Sequence, residues 1–308
     1  FIPHSPEALE VIDEFPQFTF LLSDLHPHLL VLPFSMLAIS MALNAYWSTP
    51  SLSDGFRRAI KEQTVELVFA GLVLGAIGFM NTWDMPFYML LFGMAWVYGY
   101  YQDYRSAGFL SNLIKIGLLL GILAITPYLP FYLSFSSGAK GILPSMVFFT
   151  HNRYFWTMFG PLLVILIAGF AYTSRHYWKK ENLLPGILPV IGLIFLLALA
   201  MFSLGAMVKL RPQLEQAALH ALGYPSLIDL VKDVLATRLK DPGTLITIIL
   251  LGTLMTITIN GHQLRNGTST HMQKSSSSLI FTAFLGLMGL FLVLLPEFIY
   301  LSDPFQTR

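Results

Sequence analysis

The chain has 308 residues, of which 55 % are hydrophobic and only 11 % charged, and its formal net charge is +1. A soluble domain carries about 25 % charged residues, so this composition excludes a water-soluble enzyme, and the near-zero charge leaves no basic surface for nucleic acid. Cysteine is absent, which removes disulfides, thiolate metal ligands and a cysteine nucleophile.

The mean hydropathy of +0.65 is concentrated in apolar runs of about twenty residues, long enough to cross a hydrocarbon core. Eight such runs are predicted as helices, at roughly 27–47, 64–82, 85–102, 110–133, 154–173, 185–205, 244–260 and 279–296. Backbone polar groups in lipid must be satisfied within the segment, so the fold class is all-α, a polytopic transmembrane bundle of about eight spans. The chain starts at Phe1 without the basic n-region of a signal peptide. It is read as one transmembrane domain over 1–308 and as a piece of a longer protein.

In chain order, the first informative stretch is "DEFPQFTFLLSDLHPHLLVLPF", residues 13–34. Proline suits the first helical position and restricts the residue before it, so the helix is predicted to start at Pro27. Asp24 and His26 then lie in the preceding turn, and His28 in the first helical turn, where free N–H groups favour an anion. Asp24 at that boundary suits a base or a metal ligand, and the plainer reading is a capping aspartate with two interfacial histidines. Glu14, beside Asp13, offers a second carboxylate for proton transfer or a divalent cation.

"MNTWDMPFY" (80–88) is predicted as a tight hairpin, in which Asn81 and Asp84 suit a turn and a cap. Trp83 suits the aromatic belt of a membrane interface. Farther on, Arg153 stands before the fifth span as a phosphate partner or as a snorkelling boundary arginine. Segment 206–243 reads as a pair of surface helices. Its second member is capped by Ser226 and carries a stripe of Leu227, Leu230, Val231, Val234, Leu235 and Leu239, as expected of an interfacial helix. Glu297 and Asp303 follow the last span. No HExxH, Walker A, GxSxG or GxGxxG pattern occurs in a setting that would support it.

Orientation follows from Lys and Arg in short loops. Four loops on one face hold ten of the eighteen basic residues. That face is predicted to be cytoplasmic, so "DLHPH", the 81–84 turn, 136–153, the 206–243 helices and 297–303 share the extracytoplasmic side.

These blocks resemble the Chlor_Arch_YYY membrane proteins, a prokaryotic family of unknown function. The likeness runs through Glu14, Phe15, Pro16, Phe18 and Thr19 to Asp24, Leu25, His26, Pro27 and His28. It continues through Asn81, Trp83, Asp84, Pro86 and Tyr88, then Pro130–Tyr132 with Ser136 and Gly141, and ends at Glu297, Tyr300, Asp303, Phe305 and Arg308. The family in turn looks related to the GT-C glycosyltransferases, which use polyprenyl-phosphate sugar donors. The likeness implies a multi-pass protein of a prokaryotic cell membrane. Asp24, with Glu14 as the alternative, would be its catalytic carboxylate. His26, His28, Asn81, Trp83, Asp84, Arg153, Glu297 and Asp303 would bind substrate. A divalent metal, Mg or Mn, would be its cofactor, with Asp24, His26 and His28 as candidate ligands. This chain has Asp-Leu-His where characterised GT-C enzymes have Asp-Asp, Asp-Glu or Asp-x-Asp.

Three functions stay open on this reading. The first is transfer of a sugar from a polyprenyl-phosphate donor on the outer face. The second is a non-catalytic subunit that packs against partner membrane subunits. The third is a transporter of a lipid or small anion, although no ionisable residue falls clearly at mid-membrane. Membrane lipids are partners in all three.

Overall fold

A computed structural model of the chain describes residues 20–22, 27–49, 55–101, 106–135, 141–208, 215–216, 219–220, 222–265 and 273–302. Of these, the residues within Ile12–Ser136 and Ser269–Leu285 form one compact unit, and those within Ser137–Thr268 and Gly286–Arg308 form another.

The first unit contains α1 (Pro27–Ser48), α2 (Phe56–Glu62), α3 (Thr64–Met80), α4 (Met85–Tyr101), α5 (Phe109–Ile125) and the short α6 (Leu129–Ser134). Helix α1 starts at Pro27 as predicted, because proline lacks only a donor that the first turn would leave unbonded. Its Val31 and Ala38 meet Val73 and Ile77 of α3 in a buried core flanked by Met41, Met80, Met85 and Tyr88. Helix α3 meets α5 through Gly71 and Gly75. A Cβ at Gly75 would overlap the carbonyl oxygen of Ala124, and one at Gly71 would overlap Leu123. The two glycines, four apart, give the small-xxx-small spacing by which helices approach closely where lipid removes the hydrophobic drive.

Helices α2 and α3 are separated only by Gln63 and bend by 73° there. Gln63 has φ −106° and ψ 25°, which ends α2 and starts α3. The α3–α4 connection is the predicted tight turn. The Asp84 N–H donates to Asn81 O, and the Trp83 N–H donates to Asn81 Oδ1.

The second unit contains β1 (Gly141–Pro144), α7 (Asn152–Ser174), α8 (Lys180–Val208), α9 (Leu227–Lys240) and α10 (Gly243–Arg265). The residues of α11 (Gln273–Leu294) are divided between the units, and β2 (Ile299–Ser302) belongs to the second. Helix α10 packs against both α7 and α8, and 72 % of its most apolar window is buried. That burial explains its polar residues. Pro189 has no N–H to offer Pro185 four residues earlier, and Asn260 Nδ2 donates to the Pro185 carbonyl at 3.3 Å instead. Thr256 Oγ1 likewise donates to Gly186 O at 2.5 Å.

Each of the eight predicted spans corresponds to a helix. Among the described residues, six helices are long and apolar enough to cross a membrane, or seven if the bent α2–α3 pair counts as one. The break at Gln63 and the turn at Asn81 leave α3 and α4 with 17 residues each, about 26 Å and so at the lower limit for spanning. By contrast, α8 has 29 residues, about 43 Å, and outlasts a hydrocarbon core of about 30 Å.

One end of the second unit is closed by a two-stranded ribbon. Strands β1 and β2 pair antiparallel, with Gly141 opposite Ser302 and Pro144 opposite Ile299. The starts of α7 and α10 lie at the same end, where Thr244 Oγ1 donates to Thr150 O at 2.9 Å. Helix α9 joins them there. Ser226 caps it as predicted, its Oγ accepting from the Asp229 N–H. Leu230 and Val234 are buried, but Leu235 is 46 % and Leu239 77 % exposed. Only part of the stripe packs against the protein, and the packed part continues through Arg238.

Candidate functional site

Polar chemistry in the second unit concentrates at this ribbon end. Arg238 occupies the position four residues beyond Val234, so it inherits the inward face of α9. Its Nη2 donates to three backbone carbonyls, Glu297 O at 2.7 Å, Ser145 O at 2.8 Å and Phe148 O at 3.4 Å. The guanidinium also lies against the rings of Phe149 and Phe298, 5.6 and 5.4 Å from their centroids. Burial pulls its pKa below the usual guanidinium value, and the Glu297 carboxylate acts in the opposite sense. Its Nε is buried without a hydrogen-bond partner among the described residues. A guanidinium suits this place because its planar fork serves several acceptors at once.

Glu297 is 5 % exposed. Both of its carboxylate oxygens accept the Thr150 N–H, at 3.1 and 3.0 Å. Next to it, His151 Nδ1 lies 2.9 Å from Asp241 Oδ2, and the same oxygen accepts the Asn152 N–H at 3.2 Å. Asp241 thus supplies, from another segment, the carboxylate that the first turn of α7 lacks in its own sequence. Gly243 permits the contact, since a Cβ there would overlap the Asn152 side chain.

Beside this cluster runs an apolar cavity of about 160 Å³. Its walls are Leu143, Met146 and Phe148 from the ribbon side, Leu227 and Leu230 from α9, and Leu219 and Leu222. Glu215 contributes the single carboxylate and Tyr300 the single phenol, and burial pushes the pKa of Tyr300 up. The volume is below the roughly 300 Å³ of ordinary small-molecule sites, which fits one segment of an alkyl or isoprenoid chain. Arg153 stands at this same end, exposed, with Nη2 donating to the Tyr154 hydroxyl at 3.1 Å.

Other predicted site residues take different places. Asn81 is buried and serves the turn, Trp83 is half exposed, and Asp84 holds the start of α4 through its carbonyl oxygen, which accepts from the Phe87 and Tyr88 N–H groups. Glu14, Asp24, His26 and Asp303 lie outside the described residues, as does the side chain of His28. Among the described residues, no three His, Asp or Glu side chains are grouped to hold a metal. The structure brings Arg153 and Glu297 to one end of the second unit, and Asn81, Trp83 and Asp84 into one turn of the first.

Sequence reasoning missed Arg238 and Asp241. The signal for Arg238 was its place in the four-residue series Leu230, Val234, Arg238. Asp241 stands immediately before the Pro-Gly that opens α10, where it is as readily taken for a local cap.

A family model described as an uncharacterized membrane protein (DUF2298) matches residues 8–308. No curated protein matches the chain, and neither does any solved structure.

Proposed function

Given that the chain belongs to the DUF2298 family of uncharacterized membrane proteins, we propose that it is a membrane glycosyltransferase. It moves a sugar from a polyprenyl-phosphate donor to an acceptor hydroxyl on the extracytoplasmic face. The observation that carries this reading is the apolar cavity walled by α9 and the ribbon, together with the exposed Arg153 at the same end. An isoprenoid segment and a phosphate need those two features.

In this mechanism a carboxylate takes the acceptor's proton as the acceptor oxygen bonds to the anomeric carbon. The bond from that carbon to the phosphate oxygen breaks, and the electron pair leaves with the polyprenyl phosphate. One displacement inverts the anomeric centre. Asp24 is assigned the base role, with Glu14 as the alternative. Arg153 is assigned to the leaving phosphate, whose charge grows in the transition state. A Mg or Mn ion held through Asp24, His26 or His28 would supply further charge there.

The test uses the full chain reconstituted in liposomes with radiolabelled polyprenyl-phosphate hexoses. Asp24→Asn keeps size and capping ability while removing the charge. Transfer should fall by about 10²–10⁴-fold, the usual worth of general acid–base catalysis, with the melting temperature unchanged. Full activity in Asp24→Asn and in Glu14→Gln, or no turnover of any donor by the wild type, would overturn the proposal. A second reading, a non-catalytic membrane subunit, draws on the burial of Glu297 and Asn81, both of which serve internal contacts.

A further inference from the structure

The end of the second unit opposite the ribbon carries the turn between α7 and α8, and this turn is pinned along its length. A short 3₁₀ helix, Arg175–Tyr177, follows α7. The Tyr177 ring lies over Gly261 of α10, where a Cβ would overlap it. The Tyr177 carbonyl accepts from the Lys179 N–H at 2.8 Å and from Asn182 Nδ2 at 2.9 Å. Trp178 Nε1 donates to the Oγ of buried Ser174 at 2.9 Å. A loop held in this way presents its side chains from a fixed frame.

What it presents is cationic. Arg175, His176, Lys179 and Lys180 are all exposed. The Arg175 guanidinium lies over the Tyr172 ring, 3.8 Å from its centroid, and its Nε donates to His176 Nε2 at 3.0 Å. Stacking uses one face of the guanidinium and His176 uses Nε, so the two Nη groups keep their donors for another acceptor. None meets them among the described residues. Over residues 172–184 a single carboxylate, Glu181, stands against three Lys and Arg. It lies 3.6 Å from Lys179, which leaves Arg175 and Lys180 without an acidic partner among the described residues.

The two helices that meet here are each long and apolar enough to cross a membrane, so their junction lies at headgroup level. Tyr172 and Trp178, 63 and 59 % exposed, suit that depth, where one end of the ring is apolar and the other wet. Below Lys180, the same face of α8 carries exposed Leu184, Leu188 and Ile191 at four-, four- and three-residue steps. From Lys180 to Ile191 the helix rises about 16 Å, a track along which an acyl chain can lie. A soluble anion would use the cations and leave this track unused. A zwitterionic lipid would bring its own ammonium against Arg175 and Lys180. We infer that the α7–α8 turn is a binding site for an anionic phospholipid, with Arg175 and Lys180 on its phosphate and the exposed face of α8 along its acyl chain. Basic residues between membrane helices on the cytoplasmic side suit such headgroups, and the guanidinium fork matches two phosphate oxygens.

The test uses the full chain in a neutral detergent, titrated with phosphatidylglycerol or phosphatidylcholine of the same acyl chains and followed by native mass spectrometry. Phosphatidylglycerol should bind more tightly. Arg175→Gln and Lys180→Gln should each weaken it about tenfold, or about 1.4 kcal/mol, and both should remain folded because both side chains are exposed. Arg57→Gln removes the same charge from an exposed position on α2 and should leave binding unchanged, which separates a site from the general attraction of a basic protein surface. The inference is overturned if the two lipids bind equally, if either variant leaves phosphatidylglycerol binding unchanged, or if Arg57→Gln weakens it as much as they do. It is also overturned if glycerol phosphate, which has the charge without the chains, competes at equal concentration. None of these residues has a role in the proposed glycosyl transfer, so the two readings fail separately.

Discussion

Arg238 shows how a charged residue is tolerated at the end of a membrane bundle. Three carbonyls accept from its Nη2 and two aromatic rings flank it, so it knots together β1, the turn before α7 and the end of α11. Arg238→Met keeps the apolar stem but leaves three carbonyls to find new donors. Since an unsatisfied buried group costs about 1–3 kcal/mol, the variant should lose about 2–4 kcal/mol in reversible unfolding. Arg238→Lys should recover little, because an ammonium cannot match the planar fork. Tyr224 gives a pH prediction at the same scale. Its hydroxyl donates to Asp233 Oδ2 at 2.5 Å, and that hydrogen bond, more than burial, pushes its pKa up to about 12. The raised value favours the neutral phenol in the folded state. Its contribution is complete below the ordinary tyrosine value of about 10 and should fade as pH rises toward 12. The absorbance titration of the wild type should contain a late phenolate step that Tyr224→Phe removes. Sequence made the identities of these residues visible but not their service. Glu297 reads as a surface acid because it stands just past the last apolar span, and only its pairing with the Thr150 N–H shows it buried.

Helices were the most legible level. Pro27 and Ser226 marked their starts because both act through local backbone chemistry, and the apolar runs marked the rest. The start of α3 at residue 64 was legible, but the short α2 before it was not, since Phe56–Glu62 is too brief and too charged to stand out as an apolar run. Which part of the α9 stripe packs inward was also hidden, because buried Leu230 and Val234 share one periodicity with exposed Leu235 and Leu239. Gly71 and Gly75, common enough in membrane helices to pass as background, prove to be the α3–α5 contact. Gly75→Ala must force α3 away from Ala124, and overpacking of this kind costs about 1–3 kcal/mol. Its melting temperature should drop, whereas Gly117→Ala in α5, with nothing within 4 Å, should leave it unchanged or raise it. A drop of equal size in both would show that helix flexibility, rather than close approach, is what the glycines supply.

For the molecule as a whole, the Lys and Arg distribution sets the expected orientation, and the absence of cysteine makes it easy to test. Lys61→Cys and Trp83→Cys flank α3, so an impermeant maleimide should label Trp83→Cys from outside and Lys61→Cys only after the membrane is opened. Labelling of both from one side would overturn the topology. Within the second unit, 141–153, 226–241 and 297–302 do gather at one end, as their predicted common side requires. The β1–β2 ribbon carries a consequence for how the protein is made. Strand β1 leaves the ribosome before α7, α8, α10 and α11 have been synthesised, and its partner arrives only after all of them. During that interval its edge is an open template for wrong pairing, and Arg238 lacks the Glu297 carbonyl. The last turn of the ribbon end is therefore set late, after the helices have entered the membrane. A nascent chain stalled before Ile299 should be fully inserted yet sensitive to protease at 141–150, and protection should appear once β2 emerges.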